Sequence, residues 1–192
     1  MTDVSFTSLT QWFPGHTVIP LWPSTQPVPD LASRFSDRSS DEVVRDREIS
    51  QITRPEMVVV EPEHPNGIGL LVLPGGSYQR VAFDKEGMDT AIAMSEKGYT
   101  VFVMTYRMPG DGHAEGVHAP LADAQRAIRL IRLMLSAGHF VISASLVFQP
   151  ADTPRAHWCA SPSSGLPFTG FCRFAFTTPG FCSADVSGDQ HG

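Results

Sequence analysis

An α/β fold with a mostly parallel sheet flanked by helices is the architecture this sequence predicts, and three observations carry it. Short, wholly apolar runs of buried-strand length recur, as in "MVVV", "LLVL" and "VFVM". Stretches with apolar residues at helical spacing lie between them. Glycine, proline and asparagine punctuate the boundaries. Strand, helix, strand, helix in that order means α/β. At 192 residues the chain reads as one domain, long enough to bury a real core. Its 42% hydrophobic and 18% charged residues are those of a globular protein slightly poor in charge. A net charge of −6 and the lack of a basic cluster argue against nucleic acid as a partner.

Taken in order, residues 1–16 form an N-terminal extension, and Thr17 to Pro23 is a short extended opening. Residues 24–56, rich in Ser, Asp, Pro and Arg, predict a loop that crosses the surface. Met57 to Glu61 and Ile68 to Leu73 are strand-like, split by the turn signal Pro65-Asn66-Gly67. Asp84 is placed to cap a helix from Lys85 to Glu96, with Met88, Ala91, Ile92 and Met94 as its apolar residues and Gly98 as its stop. Tyr99 to Thr105 is a third buried strand. Leu121, Ala124, Ala127, Ile128 and Ile131 then form the stripe of a second helix. The folded domain is expected to span 17–143.

From residue 144 to 192 the pattern changes to an irregular tail. From Ser145 onward the chain has no Lys and no Glu, yet holds six of its twelve Phe, with no helical period. It reads as sequence not selected to fold, and strands such as 99–105 would then leave an apolar face or edge uncovered. Cys159, Cys172 and Cys182 all lie in this tail, at spacings that match neither a common zinc pattern nor a disulfide framework. No cofactor and no metal site is expected. The N-terminus shows no basic region followed by an apolar one, and no apolar run approaches membrane-spanning length, so a cytoplasmic protein with no membrane partner is the expectation.

The stretch with most chemical promise is "GLLVLPGGSYQR", where a buried strand breaks on Pro74-Gly75-Gly76. Such a turn can cradle a phosphate or hold backbone N–H groups around an oxyanion. A dinucleotide fingerprint wants G-x-G-x-x-G, and a P-loop wants G-x-x-x-x-G-K-[ST]. Gly75, Gly76 and Gly87 fit neither spacing.

"IPLWP", "GLLVLPGGSYQRVAFDKEG", "KGYTVFVMTYRMPGDG" and "APLADAQRAIRLIR" together resemble the α/β-hydrolase superfamily, in its acetylxylan-esterase-like and hormone-sensitive-lipase-like carboxylesterase branch. The likeness covers roughly residues 17–132 and keeps the order of the motifs, so it implies the N-terminal half of that fold. It implies an oxyanion loop of Pro74, Gly75, Gly76, Ser77 and Tyr78, with the N–H groups of Gly76 and Ser77 as donors. Ser77 stands where the family usually has a third glycine. The implied substrate is a small-molecule or carbohydrate ester, hydrolysed by an activated serine.

The rest of that machinery is missing. No G-x-S-x-G elbow occurs in the sequence, and no Asp or Glu followed by His completes a triad. Ser136, in "Met134-Leu-Ser-Ala-Gly-His139", is a weak candidate nucleophile, because Met134 takes the first glycine position. His113 and His118 read as surface residues, Asp84 and Glu86 as helix-start residues favoured by the dipole, and Arg107 and Asp123 as structural partners. Back-translation of Ala144 to Thr153 with permissible codons, read from each codon's third base, allows Val-Val-Gly-Phe-Ser-Ala-Gly-Gly-His, a strand leading into the missing elbow. A truncated esterase with a frameshifted, inactive tail is therefore the expectation. A non-catalytic ligand-binding α/β protein and a phosphate-binding module are the rivals. Oligomeric state is not legible.

Overall fold

The computed structural model describes residues 4–5, 8–41, 45–135, 141–147, 173–174 and 184–185. Its principal strands are β1 (Thr17–Pro20), β2 (Arg34–Asp37), β3 (Arg47–Ser50), β4 (Glu56–Val60), β5 (Ile68–Leu73), β6 (Thr100–Met104) and β7 (Val141–Val147). Helices α1 (Asp89–Ser95) and α2 (Ala119–Leu135) complete the set that matters here.

The main sheet has the order β1-β4-β6-β5-β7. β5 pairs in parallel with β6 and β7, while β4 is antiparallel to both β6 and β1. Only β4 therefore runs against the others, which is the mixed but mostly parallel α/β sheet that the sequence predicts. Met57, Val58, Leu71, Val72, Val101, Phe102, Val103 and Met104 are all at most 2% exposed, so the three middle strands are buried on both faces. Consecutive apolar residues, rather than alternating ones, follow from that burial.

β6 lies between β4 and β5, so the uncovered edge expected at 99–105 does not arise there. The covering strand on the far side is β7, which crosses the expected limit of the folded domain at residue 143 and ends at Val147. α2 buries Ala124, Ala127 and Ile131, with Ile128 partly buried against the same core, as its stripe predicts. Residues 173–174 and 184–185 form a two-residue antiparallel ladder. The three cysteines, Ser136 and His139 lie outside the described residues.

Three local expectations are corrected. Residues 24–56 are not one loop, because β2 and β3 form an antiparallel pair there, with Phe35 opposite Ile49. This pair extends to Val81–Ala82 as a second small sheet. The helix expected from Lys85 instead begins with a wider π-type turn at Phe83–Met88 before α1, and Ile92 is half exposed rather than core. Asp84 caps nothing. It is buried, and its carboxylate accepts from the Nε and Nη2 of Arg47 at 2.7 and 2.9 Å and from the Arg47 N–H at 2.8 Å. A partner 37 residues upstream outcompetes the local cap. The helix stop is confirmed at Gly98, whose φ of +89° is a glycine conformation and whose missing Cβ leaves room for the His64 carbonyl.

His113 is also not a surface residue. It is 6% exposed and its Nε2 lies 3.1 Å from the Ile52 carbonyl, whereas His118 is exposed. Burial, then the nearby Arg107 charge, hold the His113 imidazole below its ordinary pKa of about 6.5. A depressed folded pKa means the native state binds fewer protons than the unfolded chain. The stability this group contributes is complete above about pH 6.5 and lost as the pH falls through the lower folded value. Asp111, pushed up by burial, acts in the opposite sense, losing its contribution as pH rises through its raised folded value. His113→Gln is expected to flatten the loss of stability below pH 6.5 in urea titrations at stepped pH. An unchanged pH profile would show that His113 does not contribute to it.

Candidate oxyanion loop

β5 delivers its C-terminal end, Leu73, to Pro74 and the glycine pair. Gly76 has φ +152°, and a Cβ there would overlap the Arg80 carbonyl oxygen, so only glycine fits. Ser77 and Tyr78 follow with φ of 57° and 56°, two successive non-glycine residues in the left-handed region. Such conformations cost on the order of 1–3 kcal/mol each and persist only where their surroundings hold them. The turn is closed by Gln79 and Arg80, whose N–H groups donate to the Gly76 carbonyl at 3.1 and 3.2 Å, and by Ala82 N–H to the Gly75 carbonyl at 2.9 Å.

Two side chains hold the loop from outside. Glu86 Oε2 accepts the Gly75 N–H at 2.9 Å, and Tyr106 donates its hydroxyl to the Pro74 carbonyl at 2.7 Å. The Tyr106 ring is 6% exposed, and burial, followed by the charges of Tyr78 and Glu86, pushes its phenol pKa up, so it remains a donor. Gly87 lets the start of the helical segment pack close, since a Cβ there would sit 2.7 Å from Val103 Cγ1 and 2.9 Å from Pro74 Cγ. Among the described residues none accepts a hydrogen bond from the N–H of Gly76 or Ser77. Those are the two donors expected from the sequence. Gly75 N–H is committed to Glu86.

Glu86 and Tyr106 were not legible as loop supports. Glu86 reads as a helix-start acid, and only the fold turns its carboxylate back 11 residues to Gly75. Tyr106 lies one residue past the strand expected at Tyr99 to Thr105, and nothing beside it in the sequence points to Pro74. Tyr106→Phe is expected to cost about 1–2 kcal/mol in urea denaturation, because the buried Pro74 carbonyl loses its donor. A cost near zero would mean that water replaces the hydroxyl.

Arg107 and Asp123 are partners as expected: the Asp123 carboxylate accepts from Arg107 Nε and Nη2 at 3.0 and 2.8 Å. Among the described residues no three His, Cys, Asp or Glu side chains group closely enough to hold a metal ion, and no helix is long and apolar enough to cross a membrane.

No protein-family model matches the chain. It is 29% identical over 84 residues to an acetylxylan esterase of Xylanibacter ruminicola, a match that spans 44% of this chain and only 17% of that protein. Among solved structures it is similar to an acetyl ester-xyloside bifunctional hydrolase from Caldicellulosiruptor lactoaceticus, with 26% identity and a TM-score of 0.46 over 69% of this chain and 42% of that one. It is also similar to MGS-M1, an α/β hydrolase from a Medee basin deep-sea metagenome library, with 22% identity and a TM-score of 0.36 over 60% of this chain and 45% of that one. The glycine loop joins the third strand of the main sheet to the first helix, where α/β hydrolases keep an oxyanion donor. In its N-terminal portion the chain is thus similar in sequence to an esterase and in fold to α/β hydrolases.

Proposed function

We propose that this chain carries the oxyanion half of a serine carboxylesterase site, built for esters that include acetylated carbohydrates, and that it lacks the nucleophile in the reading frame given. Attack on an ester carbonyl places negative charge on its oxygen. Donors fixed in advance stabilise that charge, and loss of one typically costs about 10²–10³ in rate. The N–H groups of Gly76 and Ser77 have that availability, and the left-handed turn fixes their direction.

The observation that carries the reading is the register of β7. Val147 is level with Leu73, so β7 ends at the sheet edge from which the glycine loop rises. An α/β hydrolase places its nucleophile on the turn that leaves such a strand. In frame, the sequence after Val147 is Phe148-Gln149-Pro150, with no serine; read from the third base, the same stretch permits Gly-Phe-Ser-Ala-Gly. A one-base slip near codon 145 would thus remove the serine at the position that needs it. Similarity in sequence to an acetylxylan esterase favours carbohydrate acetyl esters as substrate. The coding DNA across codons 132–155 tests the proposal. The alternative frame should run on through an Asp or Glu and then a His, and an immediate stop codon in that frame would end it.

A further inference from the structure

We propose that Asn66 is a site of self-modification in the folded chain, where the main-chain nitrogen of Gly67 attacks the Asn66 side-chain amide and expels ammonia. Asn66 is the single asparagine of the sequence, and a glycine follows it in the turn Pro65-Asn66-Gly67 between β4 and β5. Pro65 and Asn66 are exposed, and Gly67 is partly so, which lets water and hydroxide reach the turn. Glycine leaves the attacking nitrogen unshielded by a side chain. Among the described residues nothing accepts the Gly67 N–H, so its proton can be lost without breaking a hydrogen bond of the fold.

The fold also presents the electrophile. Asn66 Oδ1 accepts the Ile68 N–H at 2.9 Å, which polarises the amide carbonyl and holds it across the Gly67 unit. The same donor stabilises the charge that grows on Oδ1 when the amide carbon becomes tetrahedral. The Gly67 nitrogen gives its proton to hydroxide and forms a bond to Asn66 Cγ. The Cγ–Nδ2 bond then breaks, and Nδ2 takes a proton from water and leaves as ammonia. Water opens the resulting five-membered imide at either carbonyl, which leaves aspartate or isoaspartate at position 66. The product alters a docking point. Asn66 donates its backbone N–H to the Gly98 carbonyl at 2.8 Å and its Nδ2 to the Lys97 carbonyl at 3.1 Å, which fastens the turn to the end of α1. A carboxylate puts an acceptor where that side-chain donor was, and an isoaspartyl link adds a methylene to the main chain just before β5. No residue of the glycine loop takes part, so the site stands or falls apart from the esterase reading.

The test is peptide mapping by mass spectrometry of the 192-residue chain, incubated folded in neutral and in mildly alkaline buffer, beside a sample unfolded in guanidinium chloride. Exchange of the amide for a carboxyl at position 66 is expected, faster in alkali. The folded rate should stay within about tenfold of the unfolded rate, the weight of the one hydrogen bond to Lys97 that must be released. Asn66→Gln, whose carbonyl lies one methylene further from the nitrogen, should slow the reaction about 10²-fold or more. The acidic fraction, separated by anion exchange, should melt about 2–4 °C below the parent, the shift that loss of one hydrogen bond gives. If Asn66→Gln does not fold, the map of the natural chain decides alone. A folded chain that keeps Asn66 intact, or converts it more than about tenfold slower than the unfolded chain, would overturn the proposal. Equal melting of the two fractions would overturn the altered docking.

Discussion

Asp123→Ala is expected to destabilise the chain by about 3–5 kcal/mol, the cost of removing one partner of a buried ion pair. Asp123 is 0% exposed and Arg107 is 3% exposed. The carboxylate accepts the Arg107 backbone N–H at 2.9 Å as well as its guanidinium, and also the Trp22 indole N–H at 2.6 Å. Glu115, at 2.8 Å from Arg107 Nη1, would remain, but its side chain is partly open to water and cannot replace a fully enclosed partner. Burial alone would lower the Arg107 pKa; the hydrogen bonds and charge of Asp123, then those of Glu115, outweigh it and hold the guanidinium charged. The cluster ties the chain leaving β6 to the first turns of α2 and to Trp22, just beyond β1. It thereby fixes the edge of the sheet on which Tyr106 supports the glycine loop. Urea unfolding measures the effect. A loss under about 1 kcal/mol would mean that solvent reaches Arg107 in the folded chain.

What was legible in the sequence follows from which forces act locally. β4, β5 and β6 announce themselves because burial on both faces demands unbroken apolar runs, and no charge interrupts "MVVV", "LLVL" or "VFVM". β2 and β3 were silent. "RFSD" and "REIS" each give the core one large side chain, Phe35 and Ile49, and the rest of their stability comes from pairing and from charge pairs such as Arg38 with Asp46. None of that is periodic along the chain. Asp84 shows the same limit from the other side. An acid at the start of an apolar helix reads as a cap, and only the fold brings Arg47 to it. The loop itself was the most legible feature. Its glycine pair announces a turn, and Gly76 takes the positive φ that only glycine adopts easily. Its supports were not, since Glu86 and Tyr106 act across 11 and 32 residues.

On the proposed reading, a one-base slip removed the serine that the preformed loop at Gly76 and Ser77 would serve. Restoring the alternative frame near codon 145 is expected to continue β7 into Gly-Phe-Ser-Ala-Gly-Gly-His. Its serine would then stand on the turn leaving the strand, at the edge that holds Gly76 and Ser77. A triad enzyme without its nucleophile keeps only the residual catalysis of binding and the oxyanion hole. The difference between the two chains should therefore be on the order of 10³-fold or more. The direct measurement is hydrolysis of p-nitrophenyl acetate by the 192-residue chain and by the frame-restored chain, side by side. The expected result is background hydrolysis by the first and rapid turnover by the second, abolished when the restored serine is changed to alanine. Turnover by the 192-residue chain that Ser136→Ala removes would contradict the account and make Ser136 the nucleophile.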